Sequence, residues 1–175
     1  METQWLTFAK RLQALASTGL HFSGLVSDFA KGYATPKVDV RGAIVEGDAI
    51  LLVRERSDGL WTLPGGFADV GYSAAQNIEK EIWEEAGLCV SAHRLYGVRH
   101  KARQPYAPDA RDFYKMFFLC ERMDASSPQA GNETSEVGFF RLDDLPALST
   151  GRVIESDIQA AFAFASDAHR PAFFD

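Results

Sequence analysis

The sequence predicts an α/β fold, a mixed β-sheet sandwiched between helices and preceded by a short helical arm. Three observations carry that expectation. Short β-rich runs recur between residues 38 and 142. Helical apolar spacing is confined to an N-terminal stretch, one segment in the middle and one near the end. Hydrophobic residues make up 46% of the 175-residue chain, enough for a single core, and the charged fraction of 24% is that of an ordinary globular domain.

The elements follow in order. Residues 4–16 place Trp5, Leu6, Phe8, Ala9, Leu12, Leu15 and Ala16 at helical spacing with a wide apolar stripe, and Gly19 stops the run. A shorter apolar piece, His21 to Ala30, ends near Gly32. Residues 1–34 therefore read as a helical arm and 35–175 as the main domain. The arm's stripe must bury itself against that domain or against a second copy of the chain, and a homodimer is expected. VDVRGAIV (38–45) and AILLVRE (49–55), joined by Glu46-Gly47-Asp48, predict a hairpin. LWTLPGGF (60–67) predicts a short strand breaking into a glycine turn. A helix is expected over 73–86, ended by Gly87, then a strand over 88–100 and a polar loop over 101–112. Strands over 113–122 and 136–142 flank a loop at 124–135. A last helix over 152–166 carries Arg152 in its first turn and Val153, Ile154, Ile158, Ala161, Phe162 and Ala165 on its apolar side.

Charge and composition exclude several classes. A net charge of −6 argues against a protein that wraps duplex DNA, because phosphate contacts along a duplex need clustered Lys and Arg. No apolar stretch approaches the ~20 residues of a membrane span, and the N-terminus lacks the basic-then-apolar pattern of a signal peptide. A cytoplasmic protein is expected. Cys89 and Cys120 lack paired spacing and sit in apolar runs, so both read as buried small hydrophobes.

The informative segment is LPGGFADVGYSAAQNIEKEIWEEAGL, residues 63–88. Ser73 and Gln76 form a capping box that fixes where the helix begins. At about 100° per residue, Glu81, Glu84 and Glu85 share one arc, beside a core-facing arc of Ala75, Ile78, Ile82 and Ala86. Like charges at these spacings repel, and acids near a helix C-terminus oppose its dipole. A solvated acidic face is the bland explanation. A divalent cation held between the carboxylates reverses the sign of both effects, and hard oxygen ligands suit Mg²⁺ or Mn²⁺. Gly65-Gly66, after a predicted strand, adds a bend that aims backbone groups at the same place.

This composite resembles the Nudix box, G-x5-E-x7-R-E-U-x-E-E-x-G-U, through Gly66, Glu81, Ile82, Glu84, Glu85, Gly87 and Leu88. Two positions depart, with Tyr72 in place of the first Glu and Lys80 in place of the Arg. The likeness extends over TPKVDVRGAI, YKMFFLCE, NETSEVGFFRLDDLP and the closing RPAFFD, and is similar to bacterial ADP-ribose and CDP-choline pyrophosphatases with an N-terminal helical extension. The resemblance implies an α/β/α sandwich and water-driven cleavage of the diphosphate bond of a small nucleotide. It implies metal ligation by Glu81, Glu84, Glu85 and the Gly65 carbonyl, with Glu81 the favoured proton acceptor. It also implies that losing a glutamate at 72 removes the partner of residue 80.

Further residues are expected near the substrate. Arg41 and Arg54 are candidates to neutralise phosphates, or plain solvent-facing strand residues. Gly66 brings backbone close, and Phe67 and Tyr106 are candidates to stack a base. Trp61 and Trp83 read as packing, and His100 as a surface histidine. Glu133 and Glu136 are options for an extra carboxylate, with Glu136 favoured. Alternatives of the same chemistry are a CDP-choline pyrophosphatase and an RNA 5′-end hydrolase. An alternative of another class is a degenerate binding module, supported only by Tyr72 and Lys80.

Overall fold

The computed structural model describes residues 35–175. The expected arm over 1–34, and the self-association expected from it, lie outside the described residues. Among the described residues no helix is long and apolar enough to cross a membrane.

The strands are β1 (Lys37–Ala43), β2 (Val45–Glu46), β3 (Ala49–Glu55), β4 (Trp61–Thr62), β5 (Val90–His100), β6 (Phe113–Arg122), β7 (Thr134–Arg141) and β8 (Phe173–Phe174). The helices are α1 (Ala74–Ala86) and α2 (Glu155–Ser166). The β-structure divides into two four-stranded sheets. The first is mixed, in the order β1-β6-β5-β8, with β1 and β8 parallel to their neighbours and β5 antiparallel to β6. The second is antiparallel, with β7 along one edge of β3 and β2 and β4 sharing the other.

This division corrects the predicted hairpin. The run 38–45 serves both sheets: its first part pairs with β6, while only Val45 and Glu46 pair back onto β3. A run that stays apolar beyond the length of one strand gives no sign of where the chain changes partners. The glycine-turn strand is likewise shorter than expected, because only Trp61 and Thr62 join β3. Beyond the turn, Phe67 bridges to Asp39 instead. Helix α2 starts at Glu155, with Ile154 as its N-cap residue, so Arg152 precedes the helix. The pairing of β8 with β5 was not expected. Two residues are too few for a periodicity.

Alternation along β3 builds the layers. Leu51 and Val53 pack in one core with Ile78, Ile82 and Ala86 of α1 and with Phe118 and Cys120 of β6. Ile50 and Leu52 point the other way, into a second core with Leu119, Ile158, Ala161 and Phe164. The result is an α/β/α sandwich with one helix on each side. Each fully buried Ile or Leu contributes ~1.5–3 kcal/mol, so α1 is anchored mainly by Ile78 and Ile82, both 0% exposed. Cys120 is buried as expected, whereas Cys89 is exposed. It lies between Leu88, the last buried residue after α1, and the start of β5, where the chain has already left the core.

Candidate active site

The site begins with a turn laid along β1. The amide of Val40 donates to Gly66 O at 2.8 Å, that of Gly42 to Pro64 O at 3.0 Å, and that of Ala68 to Val38 O at 2.9 Å. Gly65 lies between these bonds with φ +138°, and a Cβ there would fall 2.0 Å from Val40 O. Only glycine satisfies both conditions. Gly66 has no side chain between it and Glu81, whose Oε2 would lie 3.0 Å from an added Cβ.

Helix α1 brings the acids to this turn. Ser73 accepts from Gln76 N while Gln76 Oε1 accepts from Ser73 N, the expected capping box. Asn77, 1% exposed, pins the preceding loop: its Oδ1 accepts from Asp69 N at 2.8 Å and its Nδ2 donates to Ser73 O at 3.1 Å. One and two turns further on, the three glutamates separate in environment. Glu85 is buried and accepts from Gly65 N at 2.8 Å. Burial pushes its carboxyl up to about 8, against the pull of the Arg41 guanidinium and the Gly65 amide. Glu81 is half-buried and is raised by burial, with repulsion from Glu84 and Asp69 adding to the rise and Lys80 and Arg41 opposing it. Glu84 is exposed and meets Lys80 at 3.0 Å. Lys80 also reaches Asp69 at 3.3 Å, so Asp69 supplies an acidic partner for Lys80 where Tyr72 does not. Among the described residues, no three acid, imidazole or thiol side chains converge on one point.

Arg41 is buried rather than solvent-facing. Its fork holds Asp39 through two bonds, at 2.7 and 3.1 Å, and its third arm donates to Leu63 O at 3.1 Å, just before the turn. Lys115, on β6, holds the same Asp39. Burial alone would raise the Asp39 carboxyl, but the two cations more than offset it and hold it below the usual range.

The other expected residues divide. Arg54 and Glu136 face each other across the β3–β7 ladder and pair at 2.6 Å. Phe67 is half-buried, edge-on to Phe113 at 5.2 Å, with the Lys37 ammonium at 4.9 Å and the Arg111 guanidinium at 5.1 Å from its ring. Tyr106 is buried at 7% exposure and donates to Asp157 at 2.7 Å, so its ring is enclosed rather than presented to a ligand. Trp61 packs edge-on to Phe140 at 4.6 Å, and Trp83 projects outward, 58% exposed. His100 pairs with Asp112. The backbone carbonyl of Glu133 accepts from Arg56 N.

Two residues near the turn escaped the sequence reading. Glu55, at the end of β3, is buried beside Arg152 at 3.4 Å and lies within the electrostatic reach of Arg41 and Glu85. Arg152 also binds Asp58 at 2.7 Å and Ser149 at 2.9 Å, tying the turn before α2 to the end of β3. A charge at the end of an apolar strand is a weak signal, and a pairing across nearly a hundred residues has none.

A carboxylate-bearing helix docked on a glycine turn, within an α/β/α sandwich, defines a class of hydrolase. The sequence matches the NUDIX domain over residues 36–161, and the chain belongs to that family, the Nudix hydrolases. It is 35% identical, over 206 aligned positions, to a Bacillus subtilis protein that carries the provisional name ADP-ribose pyrophosphatase YjhB. That alignment takes in 100% of this chain and 99% of the relative. Among solved structures, an ADP-ribose pyrophosphatase from Streptococcus suis is 40% identical, with a TM-score of 0.73 over 81% of this chain and 100% of that one. A UDP-X diphosphatase is 33% identical, with a TM-score of 0.75 over 100% of this chain and 89% of that one.

Proposed function

We propose that the protein hydrolyses the diphosphate bond of a nucleoside diphosphate derivative, with an ADP-ribose-like compound as its substrate, and that it does so with Mg²⁺ or Mn²⁺. The observation that carries this reading is the buried carboxylate of Glu85 fastened to Gly65 N, with Glu81 lying against Gly66.

The donor set fits a hard divalent cation. Glu81 and Glu85 are both disfavoured as bare anions by burial, and a cation beside them removes that penalty. Glu81, Glu84, Glu85 and the Gly65 carbonyl would hold it, with Glu84 exchanging Lys80 for the metal. Such an ion supplies charge neutralisation for the phosphates and lowers the pKa of a bound water. The chain's own residues do the rest. The turn at 64–66, fixed by β1 and by Arg41 on Leu63 O, sets the distance between backbone and acids. Glu81, less buried than Glu85, accepts the proton of the attacking water. One P–O bond of the P–O–P bridge breaks: the attacked phosphorus takes the water's oxygen, the bridging oxygen leaves with the other phosphate, and the products are a nucleoside monophosphate and the phosphorylated remainder of the substrate.

The ADP-ribose assignment is favoured by the Bacillus and Streptococcus relatives, and the UDP-X diphosphatase extends the same chemistry to other bases. A panel of ADP-ribose, CDP-choline and UDP-sugars, incubated with Mg²⁺ or Mn²⁺ and resolved by chromatography, tests it. The expected result is metal-dependent release of AMP and ribose phosphate, fastest among the panel. Absence of hydrolysis of every compound with either metal overturns the reading and favours a binding module.

A further inference from the structure

The C-terminal end of α1 is an awkward place for two metal-seeking acids. The last four carbonyls of a helix lack partners within it, and they carry the negative end of the helix dipole. Glu84 and Glu85 sit in that turn, and each adds to the unfavourable charge. Gly87 caps the helix by donating its amide to Trp83 O, which leaves the Glu84, Glu85 and Ala86 carbonyls to partners outside it.

The loop before β7 lies against them. Thr134, 0% exposed, donates its hydroxyl to Glu85 O at 2.7 Å and accepts from Gly131 N at 2.8 Å. Gly131 N also reaches Glu85 O at 3.2 Å, and Gln129 N donates to Ala86 O at 2.8 Å. The contact is close: a Cβ on Gly131 would fall 1.7 Å from Glu84 O. The other side of the loop is fixed too, since Arg56 donates to Glu133 O at 3.0 Å and to Asn132 O at 3.1 Å. Thr134 is itself the first residue of β7, paired with Glu55 where the β3–β7 register shifts. Thr134 thus joins the end of β3, through its main-chain pairing with Glu55, to the backbone of the residue whose carboxylate accepts from Gly65 N.

We propose that Thr134, with Gly131 against Glu84, is a positioning residue that fixes the last turn of α1 and thereby aims Glu84 and Glu85 at their shared cation. The inference rests on the hydrolase reading above. The Thr134 hydroxyl bonds main-chain atoms, Glu85 O and Gly131 N. Its effect passes through the main chain of Glu85, as outer-shell partners act at other metal sites.

The test compares Thr134→Val, which keeps the shape and removes the hydroxyl, with Thr134→Ser, which keeps the hydroxyl. Full-length protein is titrated with Mn²⁺, and ADP-ribose hydrolysis and thermal melting are measured alongside. Thr134→Val is expected to weaken Mn²⁺ binding about tenfold and to lower kcat by at least as much, while KM stays within about twofold. Thr134→Ser is expected to restore both. A Thr134→Val protein that melts earlier yet binds Mn²⁺ and turns over like the wild type overturns the proposal, because that is the behaviour of a plain packing residue. If the wild type itself neither binds Mn²⁺ nor hydrolyses substrate, the hydrolase reading fails. The hold of Thr134 on the last turn of α1 is then judged by hydrogen exchange in the metal-free protein. Faster exchange of the 83–87 amides in Thr134→Val supports it, and unchanged exchange overturns it.

Discussion

The amide of Gly65 donates to the carboxylate of Glu85 at 2.8 Å, across twenty residues of chain. This bond joins the two halves of the Nudix box, and it explains how a carboxylate only 5% exposed is tolerated in the protein. Burial works against its charge, and a main-chain donor recovers part of that cost.

Glu85→Gln keeps an acceptor for Gly65 N while removing the charge. Thermal melting is expected to be unchanged or higher than that of the wild type, and hydrolysis to fall about 100-fold or more. Both are read on the same preparation. Loss of stability together with activity would assign Glu85 a structural role instead.

Gly65→Ala forces a side chain into a backbone region that costs ~1–3 kcal/mol and toward the Val40 carbonyl 2.0 Å away. The variant is expected to lose at least that much stability in urea unfolding, and to lose activity with it. A fully stable Gly65→Ala protein would contradict the geometry of the turn.

Arg41→Met removes two bonds to Asp39 and one to Leu63 O. Lys115 remains on Asp39, so the expected loss is about 1.5–3 kcal/mol, that of a charged hydrogen-bonding group, and not the larger cost of an orphaned ion. Arg41→Lys keeps the charge but not the fork, and recovers only part of the loss. Denaturant midpoints of the two variants decide.

Asp157 gives a pH dependence. Burial raises its carboxyl above 3.8, in spite of the Ile154 amide, the Tyr106 hydroxyl, Arg99 and Lys115. Its Oδ1 is buried without a hydrogen-bond partner among the described residues. As pH rises above 3.8 the unfolded chain releases this proton first, while the folded protein still holds it. Wild-type stability therefore carries a falling contribution from 3.8 up to the raised folded value. Asp157→Asn lacks that contribution, so its stability relative to the wild type is expected to climb with pH through this window. Parallel pH profiles for the two proteins would refute it.

The local features of the fold were legible in the sequence. The Ser73–Gln76 cap, the end of α1 at Gly87 and the core face of Ile78, Ile82 and Ala86 follow from spacing alone, because helix periodicity is set by neighbours three and four residues apart. The division of residues 38–46 between two sheets was not legible, since it depends on β6, whose Phe113 to Leu119 pair with Lys37 to Ala43 from far along the chain. At the site, the glycine turn and the arc of Glu81, Glu84 and Glu85 were visible as a motif. Their different environments were not. Lys80 lies one helical turn before Glu84, but Asp69 reaches the same ammonium only through the loop that Asn77 pins, and the burial that sets Glu85 apart depends on the distant Gly65 turn. Arg41 reads from the sequence as a phosphate partner or a solvent-facing strand residue, and is neither exposed nor free once Asp39 and Leu63 O take its donors. Thr134 left no trace, since a buried hydroxyl on a helix carbonyl has no sequence pattern.

On the proposed reading, the Gly65–Gly66 turn and the acids of α1 hold one divalent cation site. Anomalous scattering from Mn²⁺-soaked crystals measures this most directly. A peak bonded to the carboxylates of Glu81 and Glu85 and to the Gly65 carbonyl, with Glu84 released from Lys80, is the expected result. A peak elsewhere on the protein, with Glu85 still bound only to Gly65 N, would contradict it.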